Sequence, residues 1–187
     1  MVGYLALTAM NVLLARATTR INRTIKLMQW FTLAMLAYSH GVNDSQKAMG
    51  IIALALQASG LGNGSTIPLW ARLGTGLAIA AGVASLTPGI VKKVGSEIYR
   101  LRPMHGLTAQ VASATIILTA SITGGPVSTS QVVSSTIMGV GSAARLKGVH
   151  WLAAREILIA WFLTIPATAL LSGLIYMLGF HLPGISL

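Results

Sequence analysis

Ser39-His40-Gly41-Val42-Asn43-Asp44-Ser45 interrupts an apolar run that otherwise extends from Leu27 to Ala58. As one straight helix that run would measure about 48 Å, against a hydrocarbon core of about 30 Å. The polar insert, with a glycine and several side chains that favour helix caps, is where the sequence predicts a break. It also holds Asp44, the one acid inside an apolar segment, because Glu97 falls in a loop and Glu156 at a loop–helix boundary. An ionised carboxylate at membrane depth persists only when paired, hydrated or coordinating a cation, which makes Asp44 a functional candidate. With Asn43 and Ser45 it offers hard oxygen ligands suited to Na⁺, Asn43 and Asp44 foremost, and the same acid could instead carry a coupling proton. Asn, Asp and Ser are equally good caps for a helix from Gln46 to Ala58. Lys47 either pairs with Asp44 or reaches an interface, and His40 is the one histidine that adjoins the break.

Composition supplies the lipid. Of 187 residues, 54% are hydrophobic and 9% charged, too few charges to keep a soluble domain of this size in solution. Thirteen Lys and Arg against three acids give a formal net charge of +10. Eleven of these cations fall in short clusters between apolar runs: Arg16, Arg20, Arg23 and Lys26; Lys92, Lys93, Arg100 and Arg102; Arg145, Lys147 and Arg155. Such spacing suits cytoplasmic loops that orient a membrane protein, whereas nucleic-acid binding needs a basic face on a soluble fold. With no cysteine, disulfides and thiolate metal sites are excluded. His40, His105, His150 and His181 lack metal-ligand spacing. No nucleophile and base pair stands out either, so an enzyme is not expected.

The spans follow from the charge clusters. Residues 1–26 read as the end of a preceding helix plus a basic cytoplasmic loop, within a single transmembrane domain of 1–187. The uncharged loop Ser59 to Thr66 suits the opposite face, and Ile67 to Leu86 crosses back, with Arg72 near an end where it can snorkel. Basic loops on both sides of Thr108 to Ala144 require that segment to enter and return on one side. Its midpoint, Gly124-Gly125-Pro126-Val127-Ser128-Thr129-Ser130, is flanked by roughly 16 apolar-rich residues before and 14 after, so a re-entrant hairpin or a pair of short helices is expected. Ile157 to Phe180 makes a last crossing, with Pro166 as a kink. Gly74-Thr75-Gly76 and Gly139-Val140-Gly141-Ser142 suit close helix packing.

The second break has different chemistry. Proline at the first helical position sacrifices no useful donor, so Gly125-Pro126 is placed to open a helix whose first turn carries Ser128, Thr129, Ser130 and Gln131. The amides of that turn, the positive end of the helix dipole and the hydroxyls make a site for a small anion. Gly124 and Gly125 allow a tight turn and a close ligand approach. Set against this, membrane serines and threonines often only hydrogen-bond neighbouring helices.

At these two places the chain resembles the inorganic phosphate transporter (PiT) family, through Gly41-Val42-Asn43-Asp44 followed by Ser45-Gln46-Lys47-Ala48-Met49-Gly50, and through Gly124-Gly125-Pro126-Val127-Ser128-Thr129-Ser130. The similarity extends through Gly139-Val140-Gly141 and Trp161 to Pro166. Many family members carry Thr-His after the Ser-Thr pair, where this chain has Ser130-Gln131. The resemblance implies an all-α integral membrane protein, one repeat of an inverted-repeat transporter, in which a broken helix and a short-helix hairpin supply half of a central site. It implies a multi-pass symporter of the inner (plasma) membrane that moves inorganic phosphate with Na⁺ or H⁺ and needs no other cofactor. Asn43 and Asp44 would lie near the cation, and Gly125, Ser128, Thr129, Ser130 and Gln131 near phosphate. The expected partners are the lipid bilayer, a missing N-terminal repeat and a second copy of the chain. Two other readings remain at this level: a permease for sulfate or another oxyanion, and a non-transporting membrane fragment that packs with a partner.

Overall fold

The computed structural model describes residues 1–13, 21–61, 66–92, 98–125 and 127–180. Arg16, Arg20, Lys93, Glu97, Pro126 and His181, all used in reading the sequence, lie outside that set. The described chain is helical: α1 (Val2–Leu13), α2 (Ile21–Ala58), α3 (Leu69–Lys92), α4 (Pro103–Ile122), α5 (Thr129–Arg145), a 3-10 turn (Leu146–Gly148) and α6 (Trp151–Phe180). Contacts divide it into two compact units, Met1–Val149 and His150–Leu187.

The seam between α2 and α4 organises the first unit. Gln29 Nε2 donates to the Pro103 carbonyl at 3.0 Å, and Thr32 Oγ1 to Gln110 Oε1 at 2.6 Å. Further along α2, Asn43 meets Val127, in the turn that follows α4. Position rises together on the two elements, so α2 and α4 run parallel. Gly106 lies against Gln29, where a Cβ would stand 2.6 Å from Nε2, and small and hydroxyl residues of the two helices, among them Ser39, Ala109, Ser113 and Ala114, are buried. Such residues let helix axes approach closely. Most of the hydroxyls satisfy themselves within their own helix: Ser39 on the Met35 carbonyl, Thr108 on Met104 and Ser121 on Ile117, at 2.6 to 2.9 Å. Ser113 Oγ is buried with no partner among the described residues.

α4 turns into α5 through a glycine cap. Gly124, at φ 74°, donates to the Ser121 carbonyl, and Gly125 to that of Ala120. This pattern ends a helix by spending its last free carbonyls, and the left-handed residue in it favours glycine. α5 then returns: Gly141 and Gly148 lie against the Tyr99 ring, just ahead of the start of α4. Both ends of the hairpin are therefore on one side. The glycines of α5 also seat α1, since a Cβ on Gly139 would stand 3.1 Å from the Tyr4 nitrogen and one on Gly3 2.5 Å from the Thr136 carbonyl. Around Gly74 and Gly76, by contrast, no atom of the described chain beyond the adjoining backbone of their own helix and their neighbours in sequence comes within 4 Å of where a Cβ would be.

The predicted break in α2 is absent. The helix runs through Ser39–Ser45 without interruption over 38 residues, about 57 Å long. A lone glycine inside a helix costs only about 1 kcal/mol relative to alanine, and three of the polar side chains here, Asn43, Asp44 and Lys47, have partners other than their own helix backbone. Ser39 bonds back to Met35, while Asn43 and Lys47 reach the hairpin. With no helix start at Gln46, the capping role of Asn43, Asp44 and Ser45 falls away. The helix also begins earlier than expected, so Arg23 and Lys26 are helical.

In the second unit α6 starts at Trp151, ahead of the expected Ile157, which puts Glu156 inside the helix and not at its boundary. Pro166 lies within it, and large apolar side chains such as Phe162, Leu163, Leu170 and Leu174 are exposed. A helix apolar on every side belongs in lipid or in a large core. Among the described residues, Pro103–Ile122 and Trp151–Leu178 are long and apolar enough to cross a membrane, and Val2–Leu13 and Leu69–Ser85 are shorter apolar helices. Arg72 sits in the first turn of α3, exposed, with its Nε on the Ile67 carbonyl.

Candidate ion-binding site

The tip of the α4–α5 hairpin meets α2 where the polar insert lies. Asn43, 2% exposed, holds the tip from both directions. Its Nδ2 donates to the Val127 carbonyl at 2.9 Å, and its Oδ1 receives the Val127 N–H at 3.5 Å. Asp44 stands beside it with both carboxylate oxygens engaged. Oδ1 accepts from Asn43 Nδ2 and from Lys47 Nζ, each at 2.9 Å. Oδ2 lies 2.8 Å from His40 Nε2 and 3.5 Å from the Thr129 hydroxyl. Lys47 Nζ is shared, since it also donates to the Val127 carbonyl at 2.5 Å.

The continuous helix makes this cluster. His40, Asp44 and Lys47 are spaced i, i+4, i+7, which stacks them on one face of an α-helix. A break at Gly41 would have put His40 and Lys47 on separate pieces. Charge-assisted bonds of this kind are shorter and stronger than neutral ones, and the half-buried setting weakens screening.

Across the tip, Ser128 caps α5: its Oγ accepts the Gln131 N–H at 3.4 Å and lies 3.2 Å from Ser130 Oγ. The first helical residue is Thr129, so Ser128 is the cap, one position outside the turn it was expected to share. The early amides of a helix have no carbonyl one turn back, and the helix dipole places positive potential there. Thr129 is buried and turned towards Asp44, while Ser128, Ser130 and Gln131 are exposed. Ser45 is half-buried and takes no part in these bonds. A cleft of about 310 Å³ opens beside the tip, lined by Asn43, Gln46, Lys47, Ser121, Gly124 and Gly125.

Of the residues singled out in the sequence, Asn43, Asp44 and Thr129 therefore converge, with Gly125 on the adjoining cleft. Ser128, Ser130 and Gln131 form a second group on the outward side of the same helix start. Sequence reading left Lys47 undecided and passed over Gln46, Ser121 and the Val127 carbonyl. Helical spacing from Asp44 would have found Lys47; nothing local points to a carbonyl 80 positions away.

A model of the phosphate transporter family matches residues 4–172. Among curated relatives, a Bacillus subtilis protein named "Probable low-affinity inorganic phosphate transporter" is 39% identical over 84% of this chain and 47% of its own length. A Rhizobium meliloti protein of the same name is 38% identical over 83% of the chain and 47% of its own. A solved structure named "The sodium-dependent phosphate transporter" superimposes with a TM-score of 0.75 at 32% identity, covering 87% of this chain and 42% of the other. The chain thus spans about half the length of the relatives it matches.

Proposed function

The chain belongs to the phosphate transporter family, whose members are membrane transporters and not enzymes, and from that premise we propose that it forms half of a site that moves inorganic phosphate together with a cation. The observation that carries the reading is the meeting of Asn43 and Asp44 on α2 with Val127 and Thr129 at the start of α5. The two partners suit opposite charges. Asp44, Asn43 Oδ1 and the Val127 carbonyl are oxygens for a hard cation, and the α5 amides with Ser128, Thr129, Ser130 and Gln131 are donors for an oxyanion. Gly125 leaves the backbone open beside the cleft. The sodium dependence of the transporter whose solved structure this chain resembles favours Na⁺ over H⁺ as the coupling ion.

Depth supports the same reading. From Asp44 to Ala58, α2 continues about 21 Å past the hairpin tip. In a bilayer that places the tip well below one surface, where irregular backbone is tolerated only against protein or a water-filled cavity. The hydroxyls of Ser128 and Ser130 are exposed, as expected if a second wall completes the site, supplied by an inverted repeat or by another copy. The chain would then be a multi-pass protein of the plasma membrane, working by alternating access.

The test is uptake of radiolabelled phosphate into proteoliposomes, by this chain alone and by the whole polypeptide, with Na⁺ and pH gradients imposed separately. Uptake should follow the Na⁺ gradient and resist competition by sulfate, and Asp44→Asn should abolish it while leaving the yield of folded protein unchanged. Phosphate accumulation at the wild-type rate in Asp44→Asn would refute the role given to Asp44.

A further inference from the structure

Lys47 occupies the place that the proposed cation needs. Its Nζ bonds Asp44 Oδ1 at 2.9 Å and the Val127 carbonyl as well, which are two of the oxygens a metal cation would take. Asp44 and Lys47 cancel in charge, so a cation added to the pair would leave a net positive charge among weakly polar surroundings, which is costly. The same lysine lines the cleft with Gln46, Ser121, Gly124 and Gly125. The cleft opens beside the hairpin tip that leads into α5, so an ammonium on a flexible four-carbon stem can pass from Asp44 to an anion held between the cleft and the α5 donors by turning its own torsions, with the helix still.

We propose that Lys47 is the residue that couples the two ions: it holds Asp44 while the cleft lacks an anion, and transfers its ammonium to phosphate when one enters, which leaves Asp44 Oδ1 and the Val127 carbonyl with the neutral Asn43 amide as their donor and opens them to the cation. This deepens the transport reading above and rests on it. Each state is then close to neutral. Lysine pairs with aspartate in the first, and in the second lysine pairs with phosphate and the cation with aspartate. Either ion alone meets an unfavourable site, so neither is carried without the other. Linkage makes the effect reciprocal, with phosphate tightening cation binding by the same factor as the cation tightens phosphate.

The experiment measures binding of ²²Na⁺ and of ³²P-phosphate to the whole polypeptide in lipid nanodiscs, each with and without the other ion. In the wild type, phosphate should tighten Na⁺ binding roughly tenfold, a usual size for coupling between sites. Lys47→Gln keeps a donor for the Val127 carbonyl but carries no charge. In that variant Na⁺ should bind about as tightly without phosphate as the wild type does with it, and the effect of phosphate should fall below about twofold. Lys47→Arg, which keeps the charge, should retain the wild-type coupling and serves as the check on folding. A Lys47→Gln protein that preserves the full phosphate effect on Na⁺ would overturn the proposal. If phosphate binds but leaves Na⁺ affinity unchanged in the wild type, the coupling role fails while the phosphate site stands. If no form binds phosphate, the transport reading fails and this inference with it.

Discussion

Thr129 differs from most of the buried threonines among the described residues in where its oxygen goes: like Thr32, whose hydroxyl reaches Gln110, it bonds across to another element. Thr75, Thr108 and Thr136 return their hydroxyls to carbonyls one turn back in their own helices. Thr129 begins a helix, so no such carbonyl exists for it, and its Oγ1 points across to Asp44 at 3.5 Å. A bond that long contributes little to folding, less than the usual ~1 kcal/mol for a good hydrogen bond. On the proposed function, the hydroxyl serves phosphate binding and not folding. Thr129→Val preserves shape and β-branching and removes only the oxygen. The expected result is an unchanged melting midpoint in detergent with a phosphate KM raised about tenfold, the equivalent of one charge-assisted hydrogen bond. A midpoint that falls with no change in KM would make the residue a packing element instead. The carriers of charge at this site were legible as residue types, because an acid in an apolar run and a hydroxyl cluster after Gly-Gly-Pro stand out locally. Their partners were not: the Val127 carbonyl carries no mark in the sequence.

At the level of elements, glycines do two opposite jobs. Gly3 and Gly139 let α1 and α5 touch backbone to backbone, and a methyl at Gly3 would sit 2.5 Å from the Thr136 carbonyl, which a main chain cannot yield cheaply. Gly50, in the outer part of α2, has nothing within 4 Å of its would-be Cβ. Gly3→Ala should thus destabilise by about 1–3 kcal/mol through forced separation of the helices. Gly50→Ala should stabilise by about 0.5–1 kcal/mol through helix propensity. Thermal or denaturant unfolding of the purified chain in detergent reads both, and equal shifts in the two variants would contradict the contact. The hairpin and the apolar helices were readable from charge clusters and run lengths. The continuity of α2 was not, because the insert looks like a break when judged by local preference. It stays helical because Asn43, Asp44 and Lys47 find side-chain and hairpin partners that do not compete with the helix backbone. The same step explains why the His40–Asp44–Lys47 face was missed: it exists only if the helix is unbroken.

For the molecule as a whole, the geometry of the first unit fixes which ends lie together. The start of α4 and the end of α5 are neighbours through Tyr99 and Gly141, whereas Ser59 lies beyond the hairpin tip at the far end of α2. If α2 crosses the bilayer, Arg102 and Arg145 must face one compartment and Ser59 the other. Arginine clusters favour the cytoplasm, which orients the pair inward. The absence of cysteine makes the test clean, since each introduced thiol is the sole target. In sealed inside-out vesicles, a membrane-impermeant maleimide should label Arg102→Cys and Arg145→Cys and spare Ser59→Cys, with the reverse in right-side-out vesicles. Ser130→Cys, at the tip, should react slowly from either side and be protected by phosphate if, as the proposed function requires, the hairpin ends inside the bilayer beside the anion site. Labelling of Ser59→Cys and Arg145→Cys from the same side would mean that α2 does not cross. The site would then lie at a surface, where a carboxylate needs no lysine to neutralise it.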